Sequence, residues 1–178
     1  MRLRRTAATV LALTALAAPA VATGGPASAS STCSTTWGSL PEADPGMGEG
    51  DLVGVRSGRH ACYDRLVLDI EGEVGGWQAR YTPVFLEGSG DPVPLRGAGD
   101  LEIIVGVDVD HERPFARPGQ EVRNVSGYRT FRQVSFAGSF EGQSTLGLGV
   151  RARLPFRVFV LDGPGVGSRV VVDVAHTW

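Results

Sequence analysis

A chain of 178 residues, 42% apolar and 20% charged, is long enough for one hydrophobic core of ordinary size and too apolar to stay disordered. Its formal net charge is −2, and all 17 basic residues are Arg. That balance excludes the strongly basic face on which nonspecific nucleic-acid binding depends, so no nucleic-acid partner is expected.

The first thirty residues have the organisation of an export signal. Arg2, Arg4 and Arg5 precede an apolar run from Ala7 to Ala22, and the small residues Ala27, Ser28 and Ala29 follow. A basic segment, an apolar segment and a small-residue cleavage site predict a secretion signal over residues 1–29 and a mature chain from Ser30. The apolar run is interrupted by Pro19 and is short for a bilayer, so no stable membrane anchor is expected after cleavage. Cys33 does not sit at the cleavage point, which argues against a lipid anchor. The expected location is extracellular. From Ser30 onward 14 Arg face 19 acids, but unevenly: residues 30–120 carry 7 Arg against 15 acids, and residues 121–178 carry 7 against 4.

Residues 30–50 are rich in Ser, Thr, Gly and Pro without periodicity and read as an extended lead-in to a domain over 51–178. Cys33 and Cys62 both survive cleavage, and an even pair in an exported chain predicts a disulfide. Closing a loop of about 30 residues contributes roughly 3.5 kcal/mol in the chain-entropy account and pins the segment around Trp37 to the domain.

Beyond Asp51 the signals are short β-prone runs separated by Gly, Pro, Asp and Ser. Strands are predicted at 64–70, 77–86, 101–107, 121–126, 130–137, 144–151, 155–161 and 168–175, and no window keeps a helical period for three turns. The expected fold is all-β: a sandwich of about eight short, mostly antiparallel strands. In "STLGLGVRARLPFRVFV" the even positions from Leu146 to Val160 are apolar, while Gly147, Gly149, Arg151, Arg153 and Arg157 occupy odd ones. Alternation of this kind puts one face in the core and turns the Arg side outward, with a bend expected near Arg153 to Pro155.

Two strands echo each other. "RLVLDI" at 65–70 returns as "RVVVDV" at 169–174, each with an Arg and an Asp four apart on the face opposite the buried Leu66, Leu68, Val170 and Val172. The echo suggests equivalent strands in two halves of a pseudo-symmetric sandwich, with Arg65, Asp69, Arg169 and Asp173 forming structural cross-strand ladders. A repeated strand of this type resembles the AMIN domain of periplasmic amidases and secretins. The longer stretches "VRSGRHACYDRLVLDI" (55–70), "YRTFRQVSFAGSFEGQSTLGLGVRARLPFRVFVLDGPG" (128–165) and "SRVVVDVAHTW" (168–178), together with "WGSLP" (37–41), resemble the AMIN-like domain of small secreted actinobacterial proteins. The resemblance implies a β-sandwich facing the cell envelope and, by way of true AMIN domains, peptidoglycan targeting.

No catalytic motif is present. The nucleophile-elbow spacing does not occur, His60, His111 and His176 are scattered, and Cys62 is expected to be oxidised rather than a thiolate. Asp108, Asp110 and Glu112 share one side of an extended segment, but the glycine-containing Ca²⁺ loop is missing, and no metal or other cofactor is expected. Arg offers a planar fork to carboxylates, and an aromatic ring can pack on a sugar. Tyr128, Arg129, Arg132, Arg151, Arg153 and Arg157 are therefore the candidate ligand-binding residues. The function expected is a noncatalytic exported module that binds cell-wall glycan or stem peptide. The alternatives are a module that binds another envelope protein and, third, a secreted hydrolase.

Overall fold

The computed structural model describes residues 33–163 and 165–178; the expected secretion signal lies outside them. Eleven strands run through this region: β1 Glu42–Asp44, β2 Asp51–Arg59, β3 Tyr63–Glu71, β4 Trp77–Tyr81, β5 Gly99–Val105, β6 Asp108–Val109, β7 Glu121–Arg123, β8 Phe131–Phe140, β9 Gln143–Val150, β10 Phe156–Asp162 and β11 Ser168–Ala175. They form two sheets, one in the order β1-β4-β5-β9-β8-β7 (sheet A) and one in the order β10-β11-β3-β2-β6 (sheet B). All pairings are antiparallel except the short β2–β6 contact. The protein is an all-β sandwich.

The core lies between the sheets. Leu66, Leu68, Val170, Val172 and Phe156 from sheet B meet Leu101, Ile103, Leu146, Leu148 and Phe136 from sheet A, all within 1% of complete burial. Strand β3 alternates in register with its pleat, burying Asp64, Leu66, Leu68 and Ile70 and leaving Tyr63, Arg65, Val67 and Asp69 on the outer face.

Three differences from the sequence reading have local causes. Strand β2 was not among the predicted strands, because Gly54 and Gly58 dilute its β character and a bulge between Leu52 and Gly54 breaks its alternation. Strand β4 stops at Tyr81 rather than Leu86, two residues before Pro83, which has no N–H for the ladder. Strand β9 is buried on both faces, not one. The 82–98 segment crosses the outer face of sheet A, where Val84, Val93 and Ala137 make a second small apolar cluster with Leu86 and Leu95. A Cβ on Gly149 would stand 2.3 Å from the Arg96 carbonyl oxygen, and one on Gly147 would stand 2.9 Å from Leu95. The glycines at odd positions of β9 thus admit a covering segment rather than face water.

The lead-in closes one side of the sandwich. Cys33 is bonded to Cys62, with Cα atoms 5.3 Å apart. Downstream, Gly38 accepts a backbone hydrogen bond from Phe156 N–H at the free edge of β10 (2.8 Å), and the Glu42 carboxylate accepts one from Val158 N–H (3.0 Å). Glu42–Asp44 then pairs with β4, so one segment stitches the edge of sheet B to the edge of sheet A.

Candidate functional site

The echo is resolved by register. Strands β3 and β11 are neighbours in sheet B, antiparallel, with Arg65 opposite Asp173 and Asp69 opposite Arg169. Two copies of an Arg-x-x-x-Asp strand, paired antiparallel, place each Arg against the other copy's Asp. The repeat is a matched pair within one sheet rather than one strand in each half.

Its central product is a triad on the outer face. The Asp173 carboxylate, with no exposed surface, accepts hydrogen bonds from Arg65 Nε (2.6 Å) and Nη2 (2.9 Å) and from Arg157 Nε (2.9 Å) on β10. Hydrogen bonding to Asp173 raises the Arg65 pKa above its ordinary value, so this cation is permanent. Both guanidinium groups lie over the same two rings: Arg65 Cζ is 5.3 Å from the Tyr63 centroid and 5.4 Å from Phe159, and Arg157 Cζ is 5.7 Å and 5.1 Å from them. Trp37 completes the cluster, its ring 4.3 Å from Arg157 Cζ and edge-on to Tyr63 at 5.7 Å. His60 stacks on the Tyr63 ring at 4.5 Å. The triad holds two cations on one buried anion, for a net charge of +1. Neither Arg65 Nη1 nor Arg157 Nη1 has a hydrogen-bond partner among the described residues. One turn along the sheet Arg56 pairs with Asp69, and Arg169 donates to the Asp162 carbonyl oxygen at 2.6 Å. The outer face of sheet B is therefore a plane of four Arg and two Asp interleaved with Val67, Val171 and Phe159.

The six residues singled out from sequence do not share this face. Arg157 is on it. Arg151 and Arg153 fall in the bend between β9 and β10, where the chain crosses from sheet A to sheet B, so the alternation that links them to Arg157 is broken. Arg151 donates to the His176 carbonyl oxygen. Arg153 holds the lead-in through Ser39 Oγ (3.1 Å) and the Ser39 carbonyl oxygen (2.8 Å), with its guanidinium over Tyr81. Tyr128 and Arg129 belong to the turn entering β8 and Arg132 to the first residues of that strand: the Tyr128 hydroxyl bonds Ser57 Oγ (2.9 Å), Arg132 folds back on the carbonyls of Tyr128 and Phe131, and Arg129 is exposed. Of the acidic run, Asp108 accepts a hydrogen bond from Ser139 and Asp110 pairs with Arg113.

One buried polar cluster could be mistaken for catalytic machinery. Asp64 and His176 lie 3.2 Å apart, and Asp64 also accepts the N–H groups of Thr130 (2.6 Å) and Phe131 (3.2 Å). The other His176 ring nitrogen faces the Ala61 carbonyl, and Thr130 Oγ1 donates to the Ala175 carbonyl oxygen. Every side-chain group is committed inside the cluster, which ties the chain end to the turn entering β8. It presents no free base toward solvent.

Sequence reasoning missed Arg65, Asp173, Tyr63, Phe159 and Trp37 as a set. The available signals were the antiparallel register implied by the echo and the position of Trp37 four residues after Cys33.

A two-sheet antiparallel sandwich with a charged and aromatic outer sheet face is the class of protein the structure defines. Within that class the chain belongs to the AMIN-like domain family, which matches residues 50–176. Domains of this family are in general noncatalytic, envelope-associated binding modules found in exported proteins. No curated protein and no solved structure matches the chain. Among the described residues no helix is long and apolar enough to cross a membrane.

Proposed function

We propose that the protein is a secreted, noncatalytic module that binds peptidoglycan through the outer face of sheet B. The observation that carries this reading is the Arg65–Asp173–Arg157 triad. Its buried carboxylate orients two guanidinium groups against aromatic rings, preorganised for a carboxylate of the kind that stem peptides carry. Export is supported by the Cys33–Cys62 bond, which persists in an oxidising compartment, and by the signal-like organisation of residues 1–29.

Cosedimentation with purified sacculi tests the proposal. Arg157→Ala leaves Asp173 paired with Arg65, so the fold is retained while one of the two forks is lost. The variant should pellet on the order of tenfold less, and wild-type binding should weaken with salt, because exposed charges are screened over about 8 Å at physiological ionic strength. Arg157→Lys keeps the charge without the fork and should lose nearly as much as Ala. Wild-type protein that stays in the supernatant at low salt would refute the proposal in favour of a protein partner.

A further inference from the structure

We infer that Trp37, carried by a disulfide-tethered segment that lies outside the family-matched residues, is a ligand-contacting selectivity residue of this face, favouring a stem peptide that still carries its sugar. The inference rests on the binding reading above. Residues 33–39 are fixed at both ends. Cys33 is bonded to Cys62, next to Tyr63, and Gly38 and Ser39 are held by Phe156 N–H and by Arg153. Between these anchors the Trp37 amide is itself turned by a hydrogen bond to Thr35 Oγ1 (3.1 Å).

The placement of Trp37 is not that of a core plug. It is only partly buried, it does not join either apolar cluster, and its neighbours are the Arg157 cation and the Tyr63 ring. Its indole N–H has no hydrogen-bond partner among the described residues and is not a buried atom, so it stays available to a ligand. A ring lying against Arg157 fixes that guanidinium through a cation–π contact and screens one approach to the pair. What remains is the exposed part of the indole, with its N–H donor, beside the Arg157 guanidinium of the triad. A bare carboxylate uses only the guanidinium groups. A stem peptide still joined to its sugar can also pack the pyranose against the exposed part of the indole and offer a hydroxyl or acetamido oxygen to the N–H.

Two probes with the same peptide carboxylates separate these contributions: a disaccharide–tetrapeptide fragment of peptidoglycan, and the tetrapeptide without sugar. Calorimetry on the oxidised protein should show the sugar-bearing probe binding at least fivefold tighter. Trp37→Ala should bring that ratio close to one while leaving tetrapeptide affinity within about twofold, Trp37→Phe should recover part of it, and thermal midpoints should be matched. Cys33→Ser with Cys62→Ser should lower the ratio as far as Trp37→Ala does, and adding Trp37→Ala to that pair should change it no further. A ratio unchanged by Trp37→Ala, or equal losses for both probes, overturns the inference while leaving the binding function intact. If neither probe binds wild-type protein, both readings fall. A ligand-free readout tests the tether: reduction should raise acrylamide quenching of Trp37 fluorescence in a Trp77→Phe/Trp178→Phe background, and quenching that does not change refutes the role of the disulfide.

Discussion

Removing the Asp173 carboxylate is the most informative single perturbation of the fold. Asp173→Ala would leave the Arg65 and Arg157 guanidinium groups side by side with no anion between them. In the native protein the carboxylate is fully buried, while the side chains of Arg65 and Arg157 keep 23% and 39% of their exposure. Breaking a fully buried ion pair costs about 3–5 kcal/mol, and an exposed pair is worth about 0–1 kcal/mol. The geometry lies between these limits, because the anion is dry and the cations reach water, so the expected loss is about 2–4 kcal/mol. For a domain of this size that corresponds to a fall of about 5–15 °C in thermal midpoint. Urea unfolding should show a lower midpoint at an unchanged slope. In an Arg65→Ala, Arg157→Ala background the same change should cost much less, since the carboxylate it removes has already lost its partners. The Arg56–Asp69 pair is an internal control: its partners are 53% and 28% exposed, and Arg56→Ala should cost under about 1 kcal/mol. An Asp173→Ala loss below about 0.5 kcal/mol, or a loss no greater than that of Arg56→Ala, would refute the view that sheet B is organised around a buried anion.

Two further outcomes follow from other parts of the structure. Replacing both cysteines by Ser should lower stability by up to about 3.5 kcal/mol on the chain-entropy estimate for a loop of this length, measured by urea unfolding of the oxidised protein and the variant; equal midpoints would show that the remaining lead-in contacts hold the segment alone. Burial raises the Asp100 pKa above the ordinary carboxylate value, and no side-chain hydrogen bond compensates among the described residues. The folded state therefore binds this proton more tightly than the unfolded chain, so the favourable contribution is complete below the unfolded value and is lost as pH rises through the raised folded one. Asp100→Asn should raise the thermal midpoint at pH 7, with a gain that shrinks toward pH 3, and a gain independent of pH would contradict this account.

Much of the sandwich was legible because its strands obey simple alternation. Strands β3 and β11 could be read with their buried faces, since Leu66, Leu68, Val170 and Val172 recur at period two between polar punctuation. The disulfide was legible from an even pair of cysteines in an exported chain. What was not legible depends on where the chain changes sheet. A run of fifteen residues with unbroken alternation placed Arg151, Arg153 and Arg157 together, yet the crossing after Val150 sends two of them to hold the lead-in and the chain end. The triad was hidden for a related reason. Arg65 and Asp173 are 108 residues apart, and only knowledge that the echoing strands pair antiparallel would bring them together. Gly147 and Gly149 looked like a solvent face because nothing local reveals that the 82–98 segment passes over them.

The central claim is that the outer face of sheet B is where ligand binds, and a two-dimensional NMR titration with the peptidoglycan disaccharide–tetrapeptide tests it most directly. The account predicts saturable shifts at the Arg65 and Arg157 side-chain Nε–H signals, at the Trp37 indole N–H, and at amides of β3, β10 and β11, with the Arg129 and Arg132 signals unmoved. Shifts confined to the turn entering β8 or to the outer face of sheet A, with the triad signals unchanged at saturation, would contradict it.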